Sequence, residues 1–174
     1  MTSKAYRWDI FVRMTHWMTA ILFLSNYFLT EEGGDLHRWF GYVVMVVICL
    51  RLLWGVVVKS PARLSAFKPS VKLASQHLRE VLKTRQDHHE GHNPAGAVMI
   101  WALWSCLLLT GLTGWATQWD IFTGQSWLEE THEFFANLTM IAVAIHISAV
   151  VFMTHWTNHN YIRPMLLQRS KRNK

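Results

Sequence analysis

Four apolar stretches, roughly residues 10–29, 36–58, 95–117 and 134–156, limit what this chain can fold into. Each is close to the about 20 residues that a helix needs to cross the hydrocarbon layer of a bilayer. Backbone N–H and C=O groups find no water there, so a stretch of this length must satisfy its own hydrogen bonds as a helix. The sequence therefore predicts an all-α membrane protein, a bundle of four transmembrane helices forming one domain over residues 1–174. With 51% hydrophobic residues, 16% charged residues, ten Trp and nine Phe, the chain is too apolar for an ordinary soluble domain of its size. The first stretch contains His16 and Asn26, lacks a small-residue cleavage pattern and ends in Glu31 and Glu32. It is expected to remain in the mature protein and not to act as a cleaved signal.

The connecting segments orient the bundle. Of the 17 Lys and Arg, three lie in the N-terminal stretch (Lys4, Arg7, Arg13), eight between Arg51 and Arg85, and five after Tyr161. Arg38 alone stands beside the other two connections. The positive-inside rule then puts both termini and the loop 59–93 in the cytoplasm. Glu31, Glu32, Asp35, Asp120, Glu129, Glu130 and Glu133 fall on or beside the outer connections. The net charge of +6 is spread over three inner segments beside membrane spans, which speaks for topology and against a nucleic-acid partner. Lipid is the expected surrounding. Within the loop, Val71, Ala74, Leu78 and Leu82 recur at helical spacing with Lys72, Arg79 and Lys83 between them, as in a helix lying on the inner leaflet.

The histidines carry the chemistry. An ionisable side chain inside a span is costly unless it faces a partner or cofactor. His132 and His146 stand fourteen residues apart on the last stretch, close to four helical turns, so they share a face and differ in depth by about 21 Å at 1.5 Å per residue. His37 matches the depth of His132 and His16 that of His146. Two such pairs fit two haems stacked across the membrane, since haem iron accepts imidazole on both axial sides. The plainer role of a single membrane histidine is an interhelical hydrogen bond, which two depth-matched pairs make a poor account. Arg13, one turn before His16, Arg38, beside His37, and Arg51, fourteen residues beyond His37, are placed to meet haem propionates. Arg51 serves equally as an arginine snorkelling to the inner headgroups.

Gly41, Gly111 and Gly114 would let a flat macrocycle approach the backbone. Neither Cys49 nor Cys106 sits in a C-x-x-C-H pattern, so any haem is held noncovalently, and two thiols do not suffice for an iron–sulfur cluster. His88, His89 and His92 read as solvated loop residues more readily than as a zinc or copper site. His155 and His159 read as interfacial, and His77 has no evident partner.

Trp8-Asp9, Arg13, His16-Trp17, His37 with Gly41-Tyr42, the run 51–55, the run Gly91-His92-Asn93-Pro94-Ala95-Gly96-Ala97, Thr113-Gly114-Trp115 and His132-Glu133 with Ala136-Asn137 occur in an order that resembles the bacterial cytochrome b561 superfamily. The resemblance runs from about Trp8 to Pro164. It is nearest to the branch related to the b-type cytochrome subunit of nickel–iron hydrogenases. It implies a four-helix core of the bacterial inner membrane binding two b haems, with ligands falling on His16 with His146 and on His37 with His132.

The resemblance also implies electron exchange between the quinone pool and a redox partner, a periplasmic cytochrome c or a dehydrogenase or hydrogenase-like subunit. Whether this is plain electron transfer or a quinone-linked oxidoreductase activity stays open. The chain shows no extra helix for docking a large partner. Its third stretch also lacks the histidine of the superoxide-oxidising form. Superoxide:quinone oxidoreduction is an alternative that an acidic outer face disfavours, and a haem-free proton or metal transporter is a third.

Overall fold

Asp9 opens the first helix. Its carboxylate accepts the Val12 N–H at 2.9 Å, satisfying one of the donors that a helix leaves bare at its start. The computed structural model describes residues 8–60, 62–87, 89, 91–157 and 159–166. Over these, α1 is Ile10–Leu29, α2 Asp35–Val57, α3 Val71–Thr84, α4 Pro94–Ala116 and α5 Ser126–Thr157, with short 3-10 turns between and no strand among the described residues. Both chain ends, whose side of the membrane the charge pattern addresses, and His88 lie outside the described residues.

Three of the helices, α2, α4 and α5, are long and apolar enough to cross a membrane. α1 forms over the expected 10–29 but is not among them, because Arg13, His16 and Asn26 dilute its apolar run. α5 begins at Ser126 and not at Phe134. Its first two turns are polar, so hydropathy alone starts the element too late. The amphipathic stretch of the middle loop is the helix α3, started by Ser70, whose hydroxyl accepts the Leu73 N–H, and stopped by Arg85 in the left-handed region at φ 56°. α4 starts the same way, with Asn93 accepting the Gly96 N–H at 2.7 Å and Pro94 in the first turn.

Close packing joins α1 to α2, α2 to α4, α4 to α5 and α3 to α4. Phe23, Val44, Ile48 and Leu107 form the centre, with Met140 and Val143 of α5 against them. A second cluster of Trp8, Val12 and Ala62, with Met165 packed on it, closes the end where α1 begins. There the segment after α5 returns to α1. Arg13 Nη1 donates to the Leu166 carbonyl and Trp17 Nε1 to the Met165 carbonyl, both at 2.8 Å. Many large apolar side chains, among them Leu53, Val56, Ile141 and Ile145, point outward, as contact with lipid requires.

Candidate functional site

α5 packs closely on α4, while α1 and α2 are not among its close neighbours. Across that wider gap its two histidines meet partners. His16 of α1 faces His146 with ring centroids 6.4 Å apart and planes at 58°, and His37 of α2 faces His132 at 6.0 Å and 84°. A second tie between α1 and α5 is the Tyr27 hydroxyl, which donates to Asn137 Oδ1 at 2.5 Å. The structure thus brings together all four membrane histidines in the two combinations that depth suggested.

At the His37–His132 level each ring is oriented through Nδ1. His132 Nδ1 lies 2.9 Å from the Thr110 carbonyl and 3.3 Å from the Thr113 hydroxyl. A carbonyl only accepts, so that nitrogen carries the proton and Nε2 keeps its lone pair. His37 Nδ1 lies 3.2 Å from the Thr30 hydroxyl, which already donates to the Asn26 carbonyl at 2.6 Å and therefore accepts from His37. Gly114 makes room for His132: a Cβ there would stand 2.7 Å from Cε1 of the ring. Gly111 instead accommodates Met45, and Gly41 faces open space. At the other level, buried His16 Nδ1 has no hydrogen-bond partner.

The three arginines differ. Arg51 is 5% exposed, donates from Nη2 to the Ala62 carbonyl at 3.0 Å and lies over the Trp104 ring at 5.3 Å. Its Nη1 has no partner, and no carboxylate of the described residues is within ion-pair distance. A buried cation so placed calls for an anion. Arg13 spends Nη1 on Leu166 and keeps a bare Nε. Arg38 pairs with Asp35 at 3.6 Å on an exposed surface.

Among the described loop histidines, His92 departs from the solvated reading, while His89 stays half-exposed. His92 is stacked on Trp8 at 4.1 Å and packed against Phe67 at 4.4 Å. Burial, helped by the Arg51 charge, lowers its pKa to about 4. His77, buried on α3, faces Asp87 across 3.6 Å, and His89 Nδ1 lies 3.0 Å from the same carboxylate. Burial alone would raise Asp87. Hydrogen bonds from the Tyr161 hydroxyl at 2.5 Å, the His89 backbone, Asn93 and the His89 ring outweigh it and hold its pKa at about 2. Burial likewise lowers His77 against the pull of Asp87, and burial with the Asp87 hydrogen bond raises Tyr161. His155 is exposed and bonded to its own helix, and His159 lies against the Tyr161 ring.

A family model described as prokaryotic cytochrome b561 matches residues 7–167. The chain belongs to the prokaryotic cytochrome b561 family. No curated protein and no solved structure matches it. As a cytochrome b561 family member with three helices able to span, it is a multi-pass membrane protein of b-type haem electron transfer. The residues present fit such a group. Two imidazoles bonded to opposite sides of one metal ion at about 2.0 Å hold their ring centroids about 6 Å apart, and both pairs have that separation. The proton on His132 Nδ1, set by a backbone carbonyl, is the usual arrangement behind a ligating histidine.

Proposed function

We propose that this cytochrome b561 family protein is a two-haem electron carrier of the bacterial inner membrane, a four-helix bundle in which α1 is the fourth span. It would pass electrons between the quinone pool and a redox partner. One observation carries the reading: two histidine pairs of ligand-like separation, 6.4 and 6.0 Å between centroids, stand on two levels of one helix.

Bound haem would supply a one-electron centre at each level. The rest is done by side chains. His16 with His146, and His37 with His132, would hold the two irons. The Thr110 carbonyl and Thr30 hydroxyl fix the tautomers of one pair. Arg51, with its bare Nη1, offers a cation to a propionate at the end where α1 begins, and Arg13 Nε does the same. Arg38, engaged with Asp35, can do so only by giving up a weak surface ion pair. The acidic residues near the other end, from Glu31 and Asp35 to Glu129 and Glu133, suit a basic cytochrome c approaching by complementary charge. Its reduction should then slow as ionic strength rises.

The decisive experiment is a reduced-minus-oxidised spectrum with a pyridine haemochrome assay on detergent-purified wild type and His146→Ala. Two b haems per chain in wild type, with one lost in the variant, is the expected result. A colourless protein overturns the reading.

A further inference from the structure

His77, Asp87 and His89 stand apart from both histidine pairs, and electron transfer gives them no task. We propose that they bind a divalent transition-metal ion, with zinc the best match to their donor set. Two imidazole nitrogens and one carboxylate are borderline donors that suit zinc. Calcium and magnesium favour oxygen-only shells, and copper(I) favours sulfur.

The geometry is nearly that of a bound ion. Around zinc, bonds of about 2.0–2.1 Å place neighbouring ligand atoms about 3.4 Å apart in a tetrahedron. Asp87 Oδ2 lies 3.6 Å from His77 Nε2, Asp87 Oδ1 lies 3.0 Å from His89 Nδ1, and the ligand atoms all lie within 4.8 Å of one another. His77 Nε2 is the telling atom. Its side chain is 4% exposed, the nitrogen points at the carboxylate, and it has no hydrogen-bond partner.

A supporting shell is also in place. The Asp87 side chain, 1% exposed, is oriented by the Tyr161 hydroxyl and Asn93 Nδ2, the kind of outer contact that fixes a ligating carboxylate. The His89 side chain is 47% exposed, which gives an ion its way in and a water the fourth position. Three protein ligands plus water is a known zinc arrangement. The ion would fasten α3 to the segment leading into α4 and, through Asp87 and Tyr161, to the segment after α5.

The test uses the full chain, tag-free and purified in detergent. It is dialysed against chelator-buffered zinc, and bound zinc per chain is counted by elemental mass spectrometry. Wild type is expected to hold one zinc. Asp87→Asn and His89→Gln should each bind at least about tenfold more weakly, and Tyr161→Phe should weaken binding less than either. His89 is half-exposed, so its loss opens no buried hole, and circular dichroism checks that each variant keeps its helices. The proposal is overturned if wild type takes up no stoichiometric zinc. It is equally overturned if folded His89→Gln and Asp87→Asn hold zinc as tightly as wild type, which would put the ion on other histidines.

Discussion

A methyl group on Gly114 would stand 2.7 Å from Cε1 of His132, and 2.9 Å from its Nδ1. The ring of His132 thus lies against the backbone of α4 in space that only glycine leaves. Gly114→Ala should push the ring out and remove the haem of that level. Haemochrome analysis should fall from two haems toward one per chain. Gly111→Ala is the control for packing strain: its Cβ meets Met45, 2.5 Å from Cγ, and no histidine ring, so stability should fall while both haems remain.

Thr30→Val removes the oxygen that accepts from His37 Nδ1 while keeping the side-chain volume. A histidine ligand loses basicity when that outer hydrogen bond goes, and outer-shell losses cost about 10–100-fold in metal affinity. The haem at the His37–His132 level should then dissociate at least tenfold faster and titrate at a higher potential. An unchanged potentiometric titration would separate Thr30 from the ligand.

Arg51→Gln takes a buried positive charge from the end of the bundle where α1 begins. Loss of a nearby cation favours the oxidised state, so the potential of the haem at the His16–His146 level should drop. A change on the order of 1 kcal/mol corresponds to about 40 mV for one electron. The other level should hold its potential, which a redox titration resolving the two centres will check.

His92 links stability to pH. Its pKa is about 4 in the fold against 6.5 when free, so between these values the unfolded chain binds more protons and stability rises with pH. Cooling the comparison to one variable, the melting temperature of wild type should fall as pH drops from about 6.5 toward 4, and His92→Phe should show a shallower fall. Equal slopes in the two proteins would mean that His92 does not titrate in this window.

The histidine pairs were legible in the sequence because a helix converts spacing into depth. Fourteen residues between His132 and His146 fix two levels rigidly, and the matching depths of His37 and His16 follow from where their own helices begin. The surroundings of His77 were not legible. Asp87 comes from a connection, Tyr161 from the segment after α5, and neither belongs to any period that would point at α3. The burial of His92 was hidden for the same reason: Trp8 and Phe67, which enclose it, come from two other segments. The polar start of α5 escaped because hydropathy marks where a helix is apolar, and Ser126–Glu133 is helical without being apolar.

Because α5 contributes one histidine to each pair, neither pair can exist until that helix has been made. His16 must wait for His146, a delay of roughly 10 s at 5–20 residues per second of synthesis. The first helices therefore enter the membrane with their imidazoles unmatched. Both sites are completed together by the last helix, so a chain halted before α5 would hold neither and would have to be recognised as unfinished.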